Sequence, residues 1–339
     1  MDRRTAIAGM AFMTGSAATG AAAVAGMLSA AAATAPAASA ASPSASPLAS
    51  SSATPAEVGL ADGGFPRGIV DALGRHVRIP RAPQRIVVVF PSNIELAWAL
   101  GLEDRVAAIG GRVRWPESAR TKPSIGGNLG YSPEAAAAFK PDLLVVTPSH
   151  YSALSLVDAF ERIAVPSIVL AHPDLPSVFR NIDLLGRATG TDAVARELRD
   201  SMQGRLQAIA RQVDGVPRRS VYLETAAAAR GAFQTMGAGH YANDALGWAG
   251  GRNVFADLQG AQQVSAEAIF LRDPDVIISL QQSPKSVALI AERPGWRSLR
   301  AVKSGRVHVL ERGHKLIPGP RQIEAVEQYA RALHPEQFA

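Results

Sequence analysis

The 339-residue chain contains no cysteine. That excludes disulfides, a thiolate metal centre and a lipidated cysteine at a mature N terminus. Aromatic residues are sparse at 6%, and no block of lysine or arginine stands out. The sequence pI is near 10.0, yet the formal net charge is only +6. Dispersed arginine of this kind leaves no footprint for nucleic acid. Catalytic signatures are missing too: there is no Gly-x-Ser-x-Gly elbow, no His-Glu-x-x-His pair and no Gly-x-x-x-x-Gly-Lys phosphate loop. Gly237-Ala238-Gly239 opens like a dinucleotide fingerprint, but no third glycine follows at the required spacing. An exported α/β hydrolase therefore has only its fold class to recommend it, and no enzymatic activity is expected.

What remains is a globular composition, 47% hydrophobic and 19% charged, with length for two domains. Residues 1–40 are set apart. Arg3-Arg4 precede a long uncharged Ala/Gly/Met segment that ends in the small residues Ala38-Ser39-Ala40. This reads as an export signal cleaved near Ala40. The paired arginines and weakly hydrophobic core point to the twin-arginine route, with the general secretory route as the alternative. Residues 41–64, rich in Ser, Ala and Pro, read as a disordered leader.

One stretch occurs twice. Ser132-Pro133-Glu134 leads through four alanines to Pro141-Asp142 and an apolar run; Ser265-Ala266-Glu267 leads to Pro274-Asp275 and another. The copies lie 133 residues apart and share five of fifteen positions. Each serine can cap a helix and each glutamate sits in its first turn, where the dipole favours negative charge. Pro-Asp stops the helix, and the apolar run reads as a buried parallel strand. The chain is thus expected to form two α/β lobes.

The other elements fit that plan. A hairpin is expected over 69–79, strands over 85–90, 106–109, 166–170, 220–224 and 306–310, and helices over 95–100, 153–163, 240–249, 284–291 and 321–333. Residues 192–213 break the alternation. They lack proline and carry apolar residues at helical spacing (Val194, Leu198, Met202, Leu206, Ile209, Val213), so they predict one helix of about 30 Å at 1.5 Å per residue. The expected organisation is a first lobe over 65–190, a connector helix over 191–214 and a second lobe over 215–339. A helix connector is stiff and predicts small hinge motion.

Further short pieces occur in order along residues 71–338: Asp71-Ala72-Leu73-Gly74-Arg75, Pro83-Gln84-Arg85-Ile86-Val87, Pro91-Ser92-Asn93-Ile94-Glu95, Ala249-Gly250-Gly251-Arg252-Asn253-Val254, Pro294-Gly295-Trp296, Gly305-Arg306-Val307 and Leu333-His334-Pro335-Glu336. With the two repeat copies, the chain resembles the class III, helical-backbone periplasmic substrate-binding proteins of ABC importers for cobalamin, haem and ferric siderophores. The resemblance implies two Rossmann-like lobes with central parallel sheets joined by one long connector helix, and a ligand in the cleft between them. It also implies a periplasmic monomer that docks on the transmembrane subunits of the importer, themselves joined to ATPase subunits. By motif position the docking carboxylates are Glu134 and Glu267. Two like-placed carboxylates on pseudo-symmetric lobes suit a two-fold dimeric partner.

Cleft residues in such a fold come from loops at the carboxyl ends of strands. The candidates are Phe90, Ser92, Asn93, Arg112, Arg114, Trp115, Tyr131, His150, Tyr151 and His172 in the first lobe, and Phe233, His240, Tyr241, Gln281, His314 and Lys315 in the second. Aromatics supply stacking area and arginine pairs with carboxylate or catecholate oxygens. The set suits a metal chelate, a ferric siderophore or a cobalamin, with haem as the alternative. Haem-binding relatives usually carry a tyrosine seven residues before the first docking glutamate. Here that position is Gly127, and Tyr131 is expected to point elsewhere. His76, His308 and His334 read as surface or structural. If the loop histidines converge, a bare transition metal of zinc type becomes the further alternative.

Overall fold

Two four-stranded parallel sheets carry the fold, and both have the same strand order. The computed structural model describes residues 64–338, apart from 112, 128–129, 149–150, 228–231 and 282–286. The expected export signal and nearly all of the leader lie outside the described residues. The first sheet is built from β1 (Ile86–Val89), β2 (Val106–Gly110), β3 (Leu143–Val146) and β4 (Ser167–Val169), in the order β2-β1-β3-β4. The second is built from β5 (Arg219–Glu224), β6 (Gly251–Asn253), β7 (Val276–Gln281) and β8 (Val307–Glu311), in the order β6-β5-β7-β8. All neighbours in both sheets run parallel. The repeat in the sequence therefore marks a repeat in topology.

Both faces of each sheet are covered, which is why the strands read as unbroken apolar runs. Alternate residues divide between faces: Ile86 and Val88 join one core, Val87 and Val89 another. In the second sheet Val221 and Leu223 face the core shared with Ile86, while Tyr222 faces a separate cluster with Phe255 and Trp296. The shared core is continuous from Ile69 to Leu333 and takes residues from both lobes. Each fully buried aliphatic side chain contributes about 1.5–3 kcal/mol.

The helices in chain order are α1 (Pro91–Ala99), α2 (Pro133–Ala138), α3 (Tyr151–Glu161), α4 (Leu175–Thr189), α5 (Asp192–Gln212), α6 (Tyr241–Trp248) and α7 (Ala266–Arg272), followed by shorter pieces and the C-terminal helix Gln322–Leu333. The expected long helix is α5, of 21 residues. The hairpin forms between Arg67–Val70 and His76–Ile79.

Four expectations need correction. Helix α1 begins at Pro91, not Glu95, because proline at the first helical position has no N–H to lose there. Ser92 and Asn93 are therefore helical and buried rather than in a loop. Helix α4 was not expected, although Asp174 and Ser177 form a capping box, Pro176 lies in its first turn and Gly190 closes it at φ 75°. A three-stranded antiparallel sheet, Ala226–Ala227, Ala232–Met236 and Ala261–Ser265, was also unforeseen. Gly250 follows α6 at φ 78°, and Gly251 starts β6. Among the described residues no helix is long and apolar enough to cross a membrane.

Candidate ligand-binding cleft

The loops after all four strands of the first sheet meet at one cavity of about 570 Å³. Phe90 and Pro91 follow β1, Gly111 follows β2, Thr147 and Pro148 follow β3, and Ala171, His172 and Pro173 follow β4. Tyr131 joins them from a short hairpin in which Gly126 pairs with Tyr131 and Gly127 with Gly130. The second lobe adds His240 and Tyr241 at the start of α6, and Leu316, Ile317 and Pro318 beyond β8. This is where an open parallel sheet binds ligands.

Backbone strain marks one edge. Phe90 stands at φ 89°, ψ 137° between β1 and α1, a conformation rare for a bulky side chain. Its N–H donates to the Gly110 carbonyl and its own carbonyl accepts from Ile94 N–H, which fixes the turn. Strain of this kind costs about 1–3 kcal/mol and concentrates at binding sites.

His172 is held at both ring nitrogens. Asn181 Nδ2 donates to the Ala171 carbonyl and, at 3.1 Å, to His172 Nδ1. The Nε2 atom therefore carries the proton, and it lies 3.0 Å from Asn93 Oδ1 and 3.1 Å from Ser92 Oγ. Asn93 spends its own amide hydrogens on the Val89 carbonyl and Thr147 Oγ1, which leaves Oδ1 as the acceptor. Burial lowers the His172 pKa to about 4, against a smaller opposing effect of the Pro318 carbonyl. His240 caps α6: its Nδ1 accepts from Ala242 N–H at 3.1 Å, and its ring lies 4.1 Å from that of Tyr241. Burial lowers its pKa to about 4 as well. Tyr241 donates its hydroxyl to the Leu316 carbonyl at 2.8 Å. Burial also raises the Tyr131 phenol.

Of the expected residues, the cavity thus gathers Phe90, Tyr131, His172, His240 and Tyr241. Tyr131 does not point elsewhere: its hairpin turns it into the cleft. Ser92 and Asn93 sit behind His172 and act through it. Phe233 is a correction. It is core, 5.2 Å from the Trp296 ring and 5.1 Å from the Arg293 guanidinium, because β-strand alternation turns it inward. Trp115 and Arg114 do not line the cavity; Trp115 lies under the Arg321 guanidinium at 4.2 Å. His314 and Lys315 lie on the side of the C-terminal helix, near Glu324, and not on the cavity. Arg112 and His150 lie outside the described residues, as do the side chains of Tyr151 and Gln281. The proline and aliphatic lining was not anticipated, since such residues read as core in a sequence. Among the described residues no cluster of three or more His, Cys, Asp or Glu could hold a metal ion.

A larger hollow of about 730 Å³ lies at the opposite end of α6, by Trp248, Val213 and Arg218. Two of its polar groups are engaged: Asp244 accepts from Leu175 N–H, and Arg218 donates to the Gly247 carbonyl.

On the outer surface the two repeat copies form matching helix starts. Ser132 Oγ accepts from Ala135 N–H at 3.0 Å and donates to Glu134 at 3.0 Å. Ser265 Oγ accepts from Ala268 N–H at 3.3 Å, and its hydrogen bond to Glu267 holds that carboxyl below the usual range. Both glutamates are exposed.

Comparison with known proteins agrees with this architecture. Residues 86–312 match the family model described as periplasmic binding protein. An uncharacterized ABC transporter substrate-binding lipoprotein of Bacillus subtilis, YvrC, is 31% identical over 281 residues, 81% of this chain and 87% of that one. A cobalamin-binding protein of Halobacterium salinarum is 28% identical over 288 residues, 80% and 74% respectively. The crystal structure of a periplasmic haem-binding protein from Pseudomonas aeruginosa superposes with a TM-score of 0.64 at 25% identity, covering 75% of this chain and 93% of that one. The matched span, the two parallel sheets of equal strand order and the cleft at their carboxyl ends place the chain in the periplasmic binding protein family, as the substrate-binding protein of an ABC importer.

Proposed function

We propose that the cleft captures a cobalamin-type corrinoid and delivers it to a two-fold permease. The observation that carries this reading is the lining itself: aromatic, proline and aliphatic side chains with neutral histidines, and no lysine or arginine among the described residues that line the cavity. Haem propionates and catecholates bring negative charge into the site, and a buried carboxylate without a cation is costly. A corrin ring carries neutral amides, and its faces need apolar and aromatic area. The relative in Halobacterium salinarum is named for cobalamin binding, which supports the same class. Lobes over 65–190 and 215–339, joined by a connector over 191–214, frame this reading, as does export to the periplasm on the Arg3-Arg4 signal.

Glu134 and Glu267 are the carboxylates through which the loaded protein meets the transmembrane subunits. Their support is positional: equal spacing in the repeat, like helix starts and exposure on both lobes.

The test is a visible-absorbance and fluorescence titration of purified protein with cyanocobalamin, haemin, a ferric catecholate and a ferric hydroxamate. Cyanocobalamin is expected to saturate the protein at micromolar concentration or below. Saturation by haemin or a ferric chelate, with none by cyanocobalamin, overturns the reading.

A further inference from the structure

The run Ile317-Pro318-Gly319-Pro320-Arg321 carries part of one cavity wall, and its attachment is divided between the two sheets. It lies between the end of β8 and the C-terminal helix, for which Arg321 is the N-cap. By chain order it belongs with the second sheet, and the Tyr241 hydroxyl of α6 holds its start through the Leu316 carbonyl. Backbone bonds close within the segment: Lys315 N–H donates to Arg312, Ile317 N–H to His314 and Gly319 N–H to Ile317. The prolines on either side of Gly319 fix their φ angles and stiffen the run.

The far end is bound to the first sheet. Arg321 donates twice to the Glu95 carboxylate on α1, and its guanidinium lies 4.2 Å from the ring of Trp115, which follows β2. Glu95 is buried and the arginine side chain is 21% exposed, so this is not a screened surface pair. Gly319 presses on the same carboxylate: a methyl group there would lie 3.0 Å from Glu95 Oε2 and 3.6 Å from its Cβ. The Pro318 carbonyl stands close enough to His172 to act on its charge. Three side chains of the first sheet's loops and helix, Glu95, Trp115 and His172, therefore meet a stretch of chain that the second sheet supplies. Arg321 itself is not among the described residues that line the cavity. Buried ion pairs are best attested as devices that fix register.

We propose that Arg321 is the positioning residue of the cleft: by locking the Pro318-Gly319-Pro320 run onto Glu95, it makes a wall carried by the second sheet a fixed part of the first sheet's binding surface. The ligand then meets a preformed pocket and spends none of its binding energy on ordering that wall. This rests on reading the cavity as the ligand cleft, and its binding test uses the corrinoid proposed above. Without the lock the wall is in place for only a fraction of the time, and apparent affinity falls by that fraction through the association rate. A side chain that touches the ligand acts mainly on dissociation instead.

Stopped-flow binding of cyanocobalamin and hydrogen exchange, both on the full chain, test the assignment. Arg321→Gln should bind about tenfold more weakly, with the loss in the association rate. The Lys315, Ile317 and Gly319 amides should exchange faster in that variant, while those of β1 and α5 keep their protection. Arg321→Lys should recover part of both effects. Gly319→Ala keeps both charges and should slow association in the same way, which carries the test if Arg321→Gln fails to fold. Wild-type association together with wild-type exchange at the wall overturns the proposal. A loss confined to dissociation, or exchange that quickens evenly through the whole chain, overturns it as well. If wild-type protein binds no cyanocobalamin, the corrinoid reading fails and the exchange comparison decides the positioning role by itself.

Discussion

Arg321 closes an ion pair on Glu95 between the two lobes, its Nη2 at 2.5 Å and its Nε at 3.2 Å from the carboxylate oxygens. Glu95 lies in α1 and is 1% exposed; Arg321 caps the C-terminal helix and also covers Trp115. Gly319 packs so closely that a methyl group there would lie 3.0 Å from Glu95 Oε2. The pair sits just behind the cavity wall at Pro318.

Burial raises the pKa of Glu95 above 4.5, Arg321 opposes that and Glu324 adds to it. A raised carboxyl contributes stability that is complete below 4.5 and is lost as pH rises through the folded value. Arg321→Met removes the counter-charge and raises it further. Urea unfolding should show the variant destabilised by roughly 2–4 kcal/mol at pH 7 and by much less at pH 4, where Glu95 is protonated. Equal loss at both pH values would show that the arginine acts through packing alone.

His172 gives an acid limit of opposite sign. Its folded pKa of about 4 lies below the ordinary 6.5. Its contribution is therefore complete above 6.5 and is lost as pH falls from 6.5 towards 4, up to about 3 kcal/mol. His240 and His314 share the direction, so the wild-type slope has several sources. His172→Asn should flatten the slope of unfolding free energy against pH between 4 and 6.5 relative to wild type. Unchanged slope would mean that His172 titrates normally in the fold.

Gly126 is the conformational key to Tyr131. It stands at φ 120°, and a methyl group there would lie 2.3 Å from the Gly130 carbonyl oxygen. Gly126→Ala should open the hairpin at a local cost of about 1–2 kcal/mol. Cyanocobalamin affinity should fall about tenfold while the urea midpoint moves little; retained affinity would separate Tyr131 from its hairpin.

Charge reversal at both Glu134 and Glu267 should abolish corrinoid uptake in vesicles carrying the cognate permease and leave cyanocobalamin affinity unchanged. Each single reversal should give an intermediate loss. Full transport by the double variant would remove these helices from the docking surface.

The elements legible in the sequence were those whose pattern is local. The strand at Ile86–Val89 is an unbroken β-branched run, and α5 repeats its apolar residues over six turns. Helix α4 carries a proline in its first turn and glycines at 186 and 190, which mask its helical periodicity. The strands Ala232–Met236 and Ala261–Ser265 are short and mixed in polarity, and their pairing is what makes them strands. The cleft was half legible for a related reason. Aromatics and histidines in loops announce themselves, yet Phe233 belongs to a core and His314 to a helix flank. Leu316, Ile317 and Pro318 carry no such signal, because an apolar residue facing a ligand and one facing the core look alike until the chain is folded. The Glu95–Arg321 contact spans 226 positions, beyond any local pattern.

The core that runs without interruption from Ile69 to Leu333 sets the mechanical character of the molecule. Lobes that share one packed interior cannot swing freely, because spreading them strains side-chain contacts that are already filled. Ligand exchange then resembles the bending of a clip with a restoring force. Any widening of the cleft is therefore opposed by the whole packed interior rather than by a single hinge.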